Sequence, residues 1–280
     1  MMKINPLNCI DFYKSGHLVQ YPEGTELIYS NFTPRSSRLF NGKSNEIVFA
    51  GLQGFCKWFL IDLWNEGFFN QPKEQVVKGY KRRMDNSLGP DAVSMTHIEA
   101  LHDLGYLPLK IKALPEGARV PMKVPVLTIV NTHPEFFWLV NYLESVMSAE
   151  LWKTCTNATI AAEYKDLLVK YAKETGSPVE FCDLQGHDFS FRGMSGVFDA
   201  ASSGFGHLIS FAGTDSVPAI DYAEEYYGAN VEKELIGVSV PATEHSVTCL
   251  SIFDIEAELS LTGSYNGVSI DEYERMLVTN

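Results

Sequence analysis

HDFSFRG (187–193), FAGTDSVPAID (211–221) and SVPATEHSV (239–247) are three segments in which polar or charged residues stand where an apolar run ends. The first follows Val179–Leu184, which reads as a buried strand, and delivers Asp188, Phe189 and Arg192. The second follows the run His207–Phe211 and breaks at Gly213 ahead of Asp215. The third follows Leu235–Val240 and breaks at Pro241 ahead of Glu244 and His245. Short strands alternating with helical segments predict a parallel α/β sheet, whose chemistry sits at the carboxyl ends of the strands. Three successive strands then bring Asp188, Arg192, Asp215 and His245 to one rim. Each residue also has a purely structural reading. Asp215 caps a helix over Val217–Tyr227, His245 is a satisfied structural histidine, and Arg192 is a surface ion-pair partner.

On the amino-terminal side, Asp11–Pro22 is polar and aromatic, with Tyr13, Lys14, His17 and Tyr21 close together. Thr25–Phe32 alternates as a strand does and ends at Thr33-Pro34-Arg35. The basic loop 36–45 is either a solvated connection or an anion-binding arm around Arg35. Ile47–Glu66 has helical spacing, and its Phe49, Leu52, Phe55, Phe59 and Leu63 read as core. Helices follow over Lys73–Met84 and Ser94–Leu104, then strands over Leu109–Leu114 and Val124–Val130 around the Pro115-Glu116-Gly117 turn. His133-Pro134 opens a helix through about Trp152, and a second runs from about Asn157 to Thr175, stopped by Gly176 and Pro178. The pattern changes at Val179. This sets an α+β domain over 1–178 and a succession of short strands, loops and helices over 179–280, the start of an α/β barrel. After His245 come a helical stretch, a turn over Thr262–Gly267, and a last helix from Ser269.

With 280 residues, 45% of them hydrophobic, the chain can bury a sizeable core. A net charge of −13 argues against general nucleic-acid or anionic-membrane binding. It leaves room for a local phosphate site built from a few Arg side chains. The five cysteines, Cys9, Cys56, Cys155, Cys182 and Cys249, are widely spaced without a CxxC pair. That is a reduced, cytoplasmic pattern with neither a disulfide framework nor a metal site. Met1–Cys9 does not read as a signal peptide, and the longest apolar runs carry charges or Gly too often to span a membrane. Neither GxxxxGK[ST] nor GxGxxG occurs.

HDFSFRGMSG (187–196), FAGTDSVPAI (211–220) and SVPATEHSV (239–247) resemble the motifs of nicotinamide phosphoribosyltransferases, especially bacterial and phage-type members. DFYKSGHLVQYPEGTELIYSNFTPR (11–35) resembles that family's opening equally well, and the likeness runs from Asp11 to Asn280. The resemblance implies an incomplete type II phosphoribosyltransferase-like β/α barrel, its first part over 179–280, with a flanking α+β domain over 1–178 that includes a dimerisation arm. It implies formation of nicotinamide mononucleotide and pyrophosphate from nicotinamide and phosphoribosyl pyrophosphate in NAD salvage. Asp215 then binds the carboxamide, and Phe189 supplies one face for the pyridine ring. Tyr13, from the second subunit of a homodimer, supplies the other face. Arg192 contacts the phosphoribosyl group and Arg35 of the partner subunit a phosphate. His245 is phosphorylated by ATP, with Glu244 orienting the ring or holding its proton. Mg2+ accompanies phosphoribosyl pyrophosphate, on ligands outside this chain. A member of the family continues well beyond Asn280, into strands that hold the ribose and phosphates, so this chain reads as an N-terminal part, alone or completed by a separate chain. A reading from another class stands beside it, a non-catalytic nicotinamide-binding or scaffold protein derived from the same fold.

Overall fold

The computed structural model describes residues 4–40, 42–269 and 271–272. The chain separates into two compact units, Met1–Val238 and Ser239–Asn280. The change of pattern read at Val179 falls inside the first.

In the first unit, β1 (Tyr29–Phe32), β5 (Leu127–Asn131) and β3 (Leu109–Ala113) form an antiparallel sheet with β5 in the middle. Tyr29 pairs with Val130 and Leu109 with Asn131. Successive strand side chains point to opposite faces, so Leu127, Ile129 and Asn131 turn inward together. Buried Asn131 is fully occupied: its Oδ1 accepts from Ile28 N at 2.9 Å, and its Nδ2 donates to the carbonyls of Glu26 and His133. These strands and the helices α2 (Lys73–Leu88) and α3 (Thr96–Leu104) fall within the stretches the sequence pointed to, with β1 and β5 starting a few residues later and α2 running on past Met84.

The Ile47–Glu66 helix needs correction at its start. Glu46–Val48 is instead β2, paired antiparallel with β4 (Arg119–Pro121). The helix begins at α1 (Leu52–Phe55) and continues with π-type turns through Cys56–Leu63 and Asn65–Phe69. Gly51, at φ +94°, makes the turn between strand and helix. Glu116 caps the helix, its carboxylate accepting from Gly51 N at 2.5 Å and Gln53 N at 2.7 Å. Negative charge is favoured at that end. The aromatic face is core, as read: Phe49, Phe55, Phe59, Trp64 and Phe68 are almost fully enclosed with Tyr80, Ile98 and Leu101. Burying each side chain of this size stabilises the fold by about 1.5–3 kcal/mol.

After α4 (Leu139–Tyr142), the two helices anticipated across 134–175 are largely one, α5 (Glu144–Thr175), 32 residues long. No Gly or Pro interrupts it, and its threonines turn inward on the helix, Thr156 and Thr159 hydroxyls each donating at 2.7 Å to the carbonyl four residues back. Gly176 at φ +74° ends it.

The three anticipated strands of the second half are not where the apolar runs lie. Val179–Leu184 is a 3-10 helix in which only Cys182 is buried, while Phe181 and Leu184 face outward. His207–Phe211 is the end of α6 (Val197–Leu208) and the turn after it, closed by Phe211 N donating to His207 O at 3.1 Å. Leu235–Val240 contributes a single parallel bridge, Val238 to Gly213. The strands are the motifs themselves, β6 (His187–Asp188) and β7 (Gly213–Thr214), paired in parallel. A strand of two residues is too short for period-2 patterning to register.

Helix α6 presents Ala200, Ala201, Ser203, Gly204 and Gly206 to its neighbours α5 and α7 (Pro218–Tyr227), and small side chains let the backbones approach closely. A Cβ at Gly206 would lie 2.6 Å from the Thr154 carbonyl of α5.

The second unit holds α8 (His245–Thr262), ended by Gly263 at φ +71°, and a hairpin of β8 (Ser264–Tyr265) and β9 (Val268–Ser269). Asn266 and Gly267 both take positive φ, as a two-residue hairpin turn requires. The last helix, read from Ser269, runs into residues outside the described ones.

Candidate functional site

β6 and β7 pair with His187 opposite Gly213 and Asp188 opposite Thr214, and Asp215 N donates to Asp188 O at 2.8 Å. The carboxyl ends of both strands therefore stand side by side, carrying Asp188 and Phe189 from one and Asp215 from the other. His187 and Phe189 share a face, their rings 4.5 Å apart and inclined by 31°. The Asp215 carboxylate meets the same imidazole, Nε2 of His187 lying 2.7 Å from its Oδ1. His187 is the better shielded of the two, 24% exposed against 43% for the Asp215 side chain. Asp215 stands two residues before Val217, the N-cap position of α7.

Asp188 points the other way and is buried, with Oδ1 accepting from Ser190 N at 2.9 Å. Burial works against its charge, but the adjacent Ser190 and Ser216 hydroxyls, the Ser190 amide and nearby His207 outweigh that and hold the carboxyl below its ordinary value. His207 fixes β7 from beneath, Nε2 donating to Gly213 O at 2.9 Å. Burial pushes the His207 imidazole down, against the pull of Asp188. Asp188 thus belongs to the support of the site rather than to its open face.

Phe189 is 68% exposed, an apolar ring held in water against His187. Arg192 is exposed in the 3-10 turn Phe191–Gly193 that follows. Tyr13, 59% exposed, lies on the 3-10 segment Phe12–Gln20, with Lys14 Nζ 5.1 Å from its ring centroid. Lys14 is itself buried and ion-paired with Glu144. Arg35 is exposed on the connection after β1. Glu244 and His245 belong to the second unit. Glu244 is the N-cap residue of α8 and His245 its first residue, both exposed, and the Glu244 carboxylate accepts from the Ser246 hydroxyl. The structure thus brings Asp188, Phe189 and Asp215 together, with Arg192 one turn away. Tyr13 and Arg35 are carried by the amino-terminal elements.

His187 was not singled out in the sequence. The available signal was its place two residues before Phe189, on the same face of a strand.

A cavity of about 360 Å³ lies where α5 meets the start of α6, lined by Glu150, Lys153, Ser195, Phe198, Asp199 and Ser202 among others. Lys153 Nζ and Ser195 N both reach Asp199, at 2.5 and 2.7 Å. Burial, reinforced by the charge of Asp199, pushes Glu150 up to about 7. Among the described residues no group of three or more His, Cys, Asp or Glu side chains is placed to hold a metal ion. No helix among them is long and apolar enough to cross a membrane.

The mixed α/β arrangement has a counterpart among solved structures, in the crystal structure of human nicotinic acid phosphoribosyltransferase. The likeness has a TM-score of 0.53 at 20% identity, over 85% of this chain and 40% of that one, and it defines a phosphoribosyltransferase-type fold. Residues 5–111 match the family described as nicotinamide phosphoribosyltransferase, N-terminal domain. The nicotinamide phosphoribosyltransferase of Acinetobacter baylyi is 66% identical over 91% of this chain and 51% of its own length. That of Mycoplasma genitalium is 31% identical over 88% of this chain and 53% of its own. Residues 5–111 thus carry the N-terminal domain described for that family, and the chain over most of its length is similar to relatives bearing the family's name. It spans about half the length of the curated relatives it matches.

Proposed function

We propose that this chain supplies the base-binding half of a nicotinamide phosphoribosyltransferase, which forms nicotinamide mononucleotide and pyrophosphate in cytoplasmic NAD salvage. The observation that carries this reading is the junction of Phe189 and Asp215 on one imidazole, an exposed aromatic face beside an exposed carboxylate. A pyridine ring stacks on Phe189 while its carboxamide NH2 donates to Asp215, which only accepts. Nicotinate sets a second carboxylate against Asp215 and is disfavoured by repulsion. Tyr13 of the partner subunit closes the opposite face in a homodimer, and its outward position within its own chain supports this.

Arg192, and Arg35 of the partner subunit, present planar forks suited to phosphoryl oxygens. The oxocarbenium character that develops at C1 rewards alignment of the flat nucleophile and neutralisation of the leaving pyrophosphate. Mg2+ travels with the pyrophosphate, on ligands supplied from outside this chain. The His245 imidazole is a competent nucleophile towards the terminal phosphoryl group of ATP. At the first position of α8 the phosphorylated side chain is stabilised by the helix N-terminus. Glu244, engaged by Ser246, orients the imidazole or holds its proton. β6, β7 and Val238 begin a type II phosphoribosyltransferase barrel whose further strands belong to the remaining length of the relatives, in the same chain or a separate one.

The test is calorimetric titration with nicotinamide and nicotinate, together with an assay for nicotinamide mononucleotide. The assay is run on the chain alone and mixed with the remaining half of the Acinetobacter baylyi relative. Nicotinamide should bind and nicotinate should not, with Asp215→Ala abolishing the difference, and turnover should require the added half. Binding without turnover in the mixture would favour a non-catalytic nicotinamide-binding protein. Robust turnover by the chain alone would refute the half-site.

A further inference from the structure

The geometry points to a role for His187 as the positioning residue that sets the Asp215 carboxylate relative to the Phe189 ring, and through that spacing selects a neutral amide over an acid. This rests on the base-binding reading above and assigns the residue that enforces it. One imidazole makes both contacts: its face lies 4.5 Å from the Phe189 ring, and its Nε2 lies 2.7 Å from Asp215 Oδ1. Phe189 and Asp215 come from different strands, each just past its carboxyl end, and His187 ties the two positions together by touching both.

The imidazole is in turn held. Its side chain is three-quarters shielded, and it occupies space left by a missing side chain on the neighbouring strand. A Cβ at Gly213 would lie 2.9 Å from His187 Nδ1 and 2.7 Å from Gly186 O. Gly213 is itself pinned through its carbonyl by His207. The chain of support runs from α6 through β7 to the ring, and from the ring to the two groups that meet the base. The short contact to Asp215 also needs hydrogen on Nε2, because a carboxylate cannot donate. Held by that donor, the carboxylate receives an amide NH2 and repels a second carboxylate.

The test uses the full chain with nicotinamide and nicotinate as probes. His187→Ala should weaken nicotinamide binding about tenfold, the effect of one hydrogen bond to a charged group, and should narrow the nicotinamide-to-nicotinate ratio. His187→Gln, which keeps a side-chain donor but no ring, should recover part of the ratio. Histidine-ring nitrogen NMR reads the contact directly, since the Nε2–H form of His187 should dominate in the wild type and decline in Asp215→Ala. A merely structural role would not move that signature or respond to glutamine. If the wild type binds nicotinamide and His187→Ala binds it equally well with the same ratio, this assignment is overturned while the base-binding reading stands. If the wild type binds no nicotinamide, both fall. If the ring nitrogen spectrum is indifferent to Asp215→Ala, the contact that carries the assignment is absent in solution.

Discussion

Replacing His97 with Phe should flatten the acid side of the stability curve. His97 lies on α3, its ring edge-on to Trp138 with centroids 4.8 Å apart, and its Nδ1 is buried without a hydrogen-bond partner. Burial pushes the imidazole down from its ordinary 6.5 to about 4. Across that window the unfolded chain binds a proton that the native chain refuses. The contribution is therefore fully present above about pH 6.5 and is lost as pH falls towards 4. At about 1.4 kcal/mol per pH unit, the gap between 6.5 and 4 amounts to roughly 3 kcal/mol when fully developed. Between pH 7.5 and 5 the same two values give a loss of about 2 kcal/mol. Urea denaturation at those two pH values reads it as a drop in the wild type's unfolding free energy that His97→Phe lacks. Phe keeps the edge-on contact with Trp138 and removes the titration, so packing and protonation are separated. Equal pH dependence in wild type and variant would refute the reasoning and mean that the ring takes up its proton inside the fold.

Glu150 has the opposite sign. With its carboxyl raised to about 7, the native state keeps a proton that the unfolded chain releases above its ordinary 4.5. Stability therefore falls as pH rises from 4.5 to 7, and Glu150→Gln should abolish that fall in the same urea series. Gly206→Ala places a methyl group 2.6 Å from the Thr154 carbonyl and should cost about 1–3 kcal/mol, read as a Tm lowered by several degrees. An unchanged Tm would show that α5 and α6 are not in close contact. Gly213→Ala should separate β6 from β7 and displace His187, so nicotinamide affinity should fall; undiminished affinity would contradict the close approach at that glycine.

What the sequence showed and what it hid follow from the range of the interactions. Helix α3 and strand β3 are written in local periodicity and were found to within one or two residues, whereas α2 runs four residues past the expected Met84 and β5 begins three after the expected Val124. Phe189 and Asp215 stood out in the sequence as residues just past apolar runs, and the pairing of β6 with β7 sets them side by side; the role of each comes from the family resemblance alone. The strand positions were misread because Val179–Leu184 and His207–Phe211 use their apolar residues to pack helical turns. The parallel pairing instead involves residues as polar as His187, Asp188 and Thr214. β2 escaped notice because its partner β4 lies on the far side of three helices and a strand. His187 was hidden for a similar reason: its place is decided by the absence of a side chain at Gly213, which nothing near His187 announces.

Glu116 receives the Gly51 and Gln53 amides and also the Tyr227 hydroxyl, at 2.8 Å, from α7. That contact spans 111 positions of the chain. At roughly 5–20 residues per second of synthesis, Tyr227 follows Glu116 by about 5–20 s. During that interval the start of α1 already has its carboxylate, while the carboxylate still lacks the phenol. The amino-terminal core can therefore close on the ribosome around a provisional capping site that α7 completes on arrival. Arrested nascent chains ending before and after Tyr227 should differ in amide protection at Gly51 and Gln53, even though neither residue is near the growing end.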